Sequence, residues 1–266
     1  MHIQKSKFNG GRILLFIGLI LVFGLIFVWG IYQLHISKYN LDISFYTISS
    51  DKITTPFRIV QLTDLHNSEF GEKNAELVSL VAEQNPDMIL LTGDFVNADD
   101  PSARVALELI PQLADIAELY ISNGNHEVEY DDNFDTDIDS LYIEVGAKIL
   151  ESNYEDIEIN GQKIRLGGIY GYCLPEKYIE GMANRQKEAE FLSEFQNTDL
   201  FTVLMAHMPA CWIVNDGINE WDIDCIFAGH AHGGQIRLPF IGGLYAPDHG
   251  WFPGEMCGLY YSNDNK

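Results

Sequence analysis

Basic residues are scarce in this chain. Its 266 residues hold 16 Lys and Arg against 39 Asp and Glu, a formal charge of −23 at pH 7. A field of that sign repels phosphate backbones, so nucleic acid is not expected as a partner. Nor is there a basic patch for an anionic membrane surface. Cysteine is sparse too. Cys173, Cys211, Cys225 and Cys257 stand apart with no C-x-x-C pair. Spacing therefore selects none of the three pairings that four cysteines allow, and free buried thiols are the expected state. The absence of H-E-x-x-H sets aside a zinc peptidase. Low-complexity tracts and repeats of roughly 20–50 residues are also missing. The 47% hydrophobic content is thus available for one sizeable core.

Charge is missing altogether from Ile13 to Leu34. As a helix this stretch would reach roughly 33 Å, enough to cross a bilayer. A buried soluble helix would have to be apolar on every face. A cleaved signal peptide fits poorly, because the run is long for one and no small-x-small site follows it. Lys5, Lys7 and Arg12 precede the segment with no acid among them, which by the positive-inside rule leaves the N-terminus cytoplasmic and the remainder extracytoplasmic. Beyond Leu34 lie 13 of the cations and all 39 acids, a formal −26. The expected organisation is a basic N-terminus over 1–12, a transmembrane helix over 13–34, a linker and first strand over 35–55, and one domain over 56–266.

Within that domain, apolar runs and breakers alternate. Arg58–Leu62, Met88–Leu91 and Leu119–Ile121 read as short buried strands. Glu72–Glu83 and Ala103–Ala114 have helical spacing, the second bent or ended near Pro111. This β-α-β-α-β order builds a parallel sheet, whose ligands gather at the carboxyl ends of the strands. The acids from Glu129 to Asp139 read as an exposed loop and helix start. Further on, Asn160-Gly161 between Tyr154–Ile159 and Lys163–Ile169 signals a hairpin. A helix is expected over Asn184–Phe195, with strands at Phe201–Met205 and Cys225–Ala228. Two sheets packed face to face with helices outside is the economical arrangement.

Five signatures fall at or just after those strand ends: Asp64-Leu65-His66, Gly93-Asp94, Gly124-Asn125-His126-Glu127, Ala206-His207 and Gly229-His230-Ala231-His232-Gly233-Gly234. A lone D-x-H is weak and G-D is commonplace turn chemistry. Two histidines among three glycines fit poorly in an ordinary core, and all five motifs in one order make coincidence improbable. Asp64 and His66, and again His230 and His232, use i, i+2 spacing, which puts both side chains on one side of an extended segment. Asp94 is the natural shared carboxylate, Asn125 offers an amide oxygen, and His207 completes an N/O donor set. Imidazole and carboxylate suit Mn, Fe and Zn. His126 lies beside the set but outside it, which makes it the candidate acid. His2 and His35 flank the apolar segment, and they and His249 receive no ligand role.

This series resembles the calcineurin-like metallophosphoesterase superfamily. The run from Gly229 through Pro239 is similar to its membrane-associated, YkuE-like phosphodiesterase branch. The resemblance covers about residues 56–262. It implies a four-layer α-β-β-α sandwich and two divalent metal ions (Mn, Zn or Fe). One metal would take Asp64, His66, Asp94 and His232; the other would take Asp94, Asn125, His207 and His230. His126 matches the catalytic histidine. The implied activity is hydrolysis of a phosphoester by a metal-bridging hydroxide, with a membrane lipid or cell-envelope component as the substrate an anchored enzyme would meet.

Two departures stand out. The chain ends soon after Gly258-Leu259-Tyr260-Tyr261, without the further strands usual in relatives, so an unpaired sheet edge is expected. Ile169-Tyr170-Gly171-Tyr172 replaces an acidic turn. Two alternatives compete with the phosphodiesterase reading. One is a non-catalytic, metal-containing envelope-binding module. The other is a UDP-2,3-diacylglucosamine pyrophosphatase-like lipid hydrolase, which an external domain disfavours because that substrate is made inside.

Overall fold

Apolar side chains between Ile13 and Leu34 cover helix α1 (Gly10–Tyr39) on every side and stay exposed. A helix of that kind needs a non-aqueous surrounding. Its stretch long and apolar enough to cross a bilayer is Ile13–Ile36, 24 residues of mean hydropathy 2.9. The computed structural model describes residues 10–171, 173, 186–214, 217–234, 237–238, 242–246, 250–254 and 256–262. His249 and the start expected at Asn184 lie outside the described residues. The chain divides into two units, Met1–Phe45 and Tyr46–Lys266.

The strand expected within 35–55 does not form, and residues 40–57 are irregular. The amides of Thr54 and Thr55 donate instead to the Gln162 side chain, at 2.8 and 3.3 Å. The first sheet begins at β1 (Ile59–Leu62) and continues through β2 (Met88–Leu91), β3 (Glu118–Ile121) and β4 (Lys148–Ile149), all parallel and in that order. Helices α2 (Ala75–Glu83) and α3 (Arg104–Ala114) make the first two crossovers. Helices α4 (Asn125–Phe134) and α5 (Ile138–Glu144) make the third. The second sheet runs β5 (Asn153–Ile159), β6 (Gln162–Ile169), β7 (Phe201–Ala206), β8 (Cys225–Phe227), with only the first pair antiparallel. Asn160 (φ 52) and Gly161 (φ 84) close that hairpin in the left-handed region, as an Asn-Gly turn requires.

Alternation within each strand makes the layers. Met88, Leu90 and Tyr120 of the first sheet pack on Ile164, Leu166, Val203 and Met205 of the second. Ile89 and Leu91 point to the opposite face. That side is covered by α3 through buried Leu109, Ile110 and Leu113. Beyond the second sheet, Leu204 and Ala206 meet Phe191, Leu192 and Phe195 of α6 (Gln186–Phe195) and Cys211 and Trp212 of α7 (Pro209–Ile213). The result is the expected α-β-β-α stack. Burying each large side chain contributes about 1.5–3 kcal/mol.

Helix α3 ends at Ala114, three residues past Pro111, where the sequence placed its end. Two local expectations need correction. The helix expected from Glu72 starts at Ala75. Lys73 (φ 52) and Asn74 (φ 61) are left-handed, and the Asn74 side chain accepts the Phe70 amide at 2.8 Å, a local bond that competes with helix. The acidic stretch is mostly helical, since Tyr130, Ile138 and Tyr142 are buried beneath it.

The cysteines also differ from expectation. Cys173, just past β6, and Cys211 of α7 form a disulfide, their Cα atoms 5.7 Å apart, because the helix lies against the end of that strand. Cys225 is half-buried and Cys257 exposed, and neither takes part in a disulfide. Unfolded, unreduced protein should therefore titrate two thiols with a thiol reagent, and four would contradict the pairing. Replacing Cys173 and Cys211 with Ser should lower stability by about 2–4 kcal/mol in urea unfolding.

Candidate metal centre

Every strand that could present a ligand does so from its carboxyl end. Asp64 lies two residues past β1, Asp94 three past β2 and Asn125 four past β3. From the other sheet, His207 lies one past β7 and His230 three past β8. Hydrogen bonds extend the ladders into these loops. The Asp64 amide donates to Gly93 O at 3.0 Å, that of His66 to Asp94 O at 2.9 Å, and that of Gly229 to His207 O at 2.9 Å. Side chains then join the two sheets. The Gln61 amide donates to Ala228 O at 2.8 Å, and His207 Nδ1 bonds Thr92 O at 2.7 Å. The Asp64 carboxylate accepts the His230 amide at 2.8 Å.

The backbone is strained where the side chains converge. Asp64 (φ 55), His66 (φ 47), Asp94 (φ 58), His230 (φ 65) and His232 (φ 47) all lie in the left-handed region. Such conformations are uncommon outside glycine, destabilise by about 1–3 kcal/mol each, and gather at functional sites. Gly93 (φ 91) meets the same demand with no room to spare, since a Cβ there would sit 2.4 Å from the Gly124 nitrogen.

Two overlapping groups result. Asp64, His66, Asp94 and His232 each offer a ligand atom within 4.8 Å of the others, and so do Asp94, His207 and His230. Asp94 belongs to both. Its Oδ2 lies 3.6 Å from His66 Nε2 and 3.2 Å from His207 Nε2, while His232 Nε2 is 3.6 Å from Asp64 Oδ1. The His126 amide donates to Asp94 Oδ1 at 2.9 Å, which brings the start of α4 against the same carboxylate. The amide oxygen of Asn125 is buried and accepts no hydrogen bond. A buried acceptor left unpaired is expensive, and a cation is what would satisfy it. The His66 and His232 rings stack at 4.9 Å with Nε2 atoms 3.2 Å apart. The His126 ring stands edge-on to His66 at 4.4 Å.

Electrostatics favour the same use. Burial opposes the Asp94 carboxylate, but the hydrogen bond and charge of His207 and the His126 amide outweigh it and hold its pKa down at about 2. Burial likewise opposes the His207 imidazolium, yet Asp94, Asp64 and the Thr92 carbonyl lift it to about 8. His66 is pushed down by burial, against the pull of Asp94 and with help from His126 and His232. A low imidazole pKa leaves the ring neutral and ready to ligate. The donors are nitrogen and oxygen only, a set that fits hard or borderline divalent cations.

A family model for calcineurin-like phosphoesterases matches residues 57–234. The chain belongs to the calcineurin-like phosphoesterase family. It is a phosphoester hydrolase of a metal-dependent family. Curated relatives agree. The uncharacterized metallophosphoesterase YkuE of Bacillus subtilis (strain 168) is 26% identical over 229 residues, 82% of this chain and 74% of its own length. The phosphodiesterase YaeI of Escherichia coli (strain K12) is 28% identical over 200 residues, 72% of this chain and 66% of its own. A Danio rerio "transmembrane protein with metallophosphoesterase domain" is 25% identical over 213 residues, 76% of this chain and 45% of its own.

Sequence reasoning assigned no role to Thr92 or Gln61, which join the two sheets beneath the loops of this phosphoesterase, or to Glu127, whose carboxylate accepts the Asp94 and Gly124 amides. Only Glu127 had a readable signal, as an acid three residues after the cap of a helix. Metal binding should depend on pH through His207. Its raised pKa means that proton stabilises the metal-free fold fully below about 6.5 and that this contribution is lost as pH rises through about 8. A cation held by His207 would have to displace the same proton. Apparent Mn affinity in titration calorimetry should therefore weaken about tenfold per unit as pH falls below 8, while metal-free stability moves the opposite way.

Proposed function

We propose that this protein is a membrane-anchored, two-metal phosphodiesterase acting outside the cytoplasm on phosphodiesters of the membrane or envelope. The observation that carries this reading is the pair of ligand groups sharing Asp94. In it, Asp64, His66, Asp94 and His232 hold one cation, and Asp94, Asn125, His207 and His230 the other, with Mn, Fe or Zn suited to both. Two such ions supply water activation and neutralise phosphoryl charge. The name of the E. coli relative supports diester over monoester.

The chain's own residues do the rest. His126 Nδ1 accepts the Ala98 amide at 3.0 Å, so the proton of the neutral ring sits on Nε2. That leaves Nε2–H to donate a hydrogen bond that stabilises the charge developing on the leaving oxygen. Its backbone amide separately holds Asp94, so the two roles can be parted by mutation. The ring lies against His66, which puts the donor at the margin of the site.

Placement outside the cytoplasm draws on three features. They are the apolar span Ile13–Ile36, the cations without acids ahead of it, and a disulfide, which persists in oxidising compartments. In this reading residues 1–12 are a cytoplasmic stub and 13–34 the anchor, with the hydrolase domain beyond residue 55.

Asp94→Asn should lose bound metal and activity together. His126→Ala should keep metal by elemental analysis yet lose about 10²–10⁴ in kcat, more for an alkyl than for a nitrophenyl phosphodiester. Undiminished turnover of an alkyl diester by that variant would remove the donor role. A topology reporter fused after Lys266 should signal outside the cytoplasm, and a strong cytoplasmic signal would overturn the placement.

A further inference from the structure

We infer that Glu127 is a positioning residue whose carboxylate clasps the Asp94 loop to the Asn125 loop and so assembles the two-metal site before any metal arrives. The inference deepens the metal-centre reading and rests on it. Glu127 is the third residue of α4 and is 1% exposed. Its Oε2 accepts the amides of Asp94 at 2.7 Å and Gly124 at 2.9 Å. Its Oε1 accepts Phe95 N at 2.8 Å, Val96 N at 3.4 Å and the Tyr142 hydroxyl at 3.3 Å. One side chain thus satisfies three successive amides of the loop after β2 and the amide just before Asn125.

A helix cap accounts for only part of this. The bond to Gly124 is the reciprocal half of a capping box, and it would hold α4 by itself. The three bonds to residues 94–96 do nothing for the helix. They face an otherwise strained turn, in which Asp94 stands at φ 58 and successive N–H groups converge as they do on an anion. Here the anion is built in. The two loops it joins have no slack, because a Cβ on Gly124 would fall 2.2 Å from Asp94 Oδ1. The direction of Asp94 and the start of α4 are therefore set by the same carboxylate. Burial and the Asp94 charge push the Glu127 carboxyl upward, against the pull of the amides of Gly124, Asp94 and Phe95.

A glutamine would keep the shape but turn a donor toward the amides. The full chain in detergent, stripped of metal by a chelator, gives two readouts. Amide exchange in the metal-free wild type should show residues 94–96 and 124 as protected as strand β2. Glu127→Gln should lose that protection and bind Mn about 10–100-fold more weakly, with kcat recovering at saturating Mn. Tyr142→Phe, which removes only one donor to Glu127, should shift Mn binding the same way by a smaller factor. Wild-type Mn constants in a folded Glu127→Gln protein would overturn the clasp. Metal-free wild-type loops that exchange like open loops would also overturn it, and that arm stands even if the Gln variant does not fold. A wild type that binds no Mn at all would instead sink the metal-centre reading beneath it.

Discussion

A charged carboxylate with 1% exposure, Asp94, sets the terms for the rest of the domain. An ionised group in that position must be paired, and the partners must come from several chain segments at once. His207 approaches from the second sheet, His66 from the loop after β1, and the amide of His126 from the head of α4. The first of these contacts cannot form until both sheets are stacked, since β7 belongs to the second sheet and β2 to the first. The site and the sandwich are consequently one cooperative object, in which packing of the inner faces brings the ligand loops to a common edge.

The loops at that edge are poor structures by local criteria. Five non-glycine donors stand at positive φ, where the chain would not go unaided. The fully buried strands next to them offset this strain, with Leu90, Leu91, Val203 and Met205 at 0% exposure. Polar groups beneath the loops spread the load further. Glu151, pushed up to about 7 by burial and drawn back by the amides of Tyr170 and Asn123, ties the rim of one sheet to the rim of the other. Rigid layers and strained rims divide the labour, stability lying in the first and chemistry in the second.

Much of the scaffold was legible because its signals are local. Met88–Leu91 reads as a buried strand from four apolar residues between breakers, and Asn160-Gly161 reads as a hairpin because few other pairs tolerate that turn. Legibility failed where a distant residue decided the outcome. Thr54 and Thr55 form no strand, since Gln162 takes their amides. Cys173 finds Cys211 only because α7 returns to the end of β6, a proximity that spacing along the chain does not encode. Glu127 passed as part of a motif, because four of its five partners are backbone amides and backbone amides leave no mark in a sequence.

The sequence by itself determined the apolar helix near the N-terminus, the acidic character of the chain beyond it, the order of strands β1–β3 and β5–β8 with helices α2, α3 and α6, and an inventory of nitrogen and oxygen donors after strand ends. Those properties depend on side-chain type and period, which are written residue by residue. Only the tertiary structure decided that His66 and His232, 166 positions apart, place ring nitrogens 3.2 Å from each other. The same holds for Asp94 being shared by two donor groups and for Asn125 keeping a buried oxygen without a partner. Distances of that kind arise from stacking one sheet on another, and the free energy of that stacking belongs to the whole core rather than to any segment of the chain.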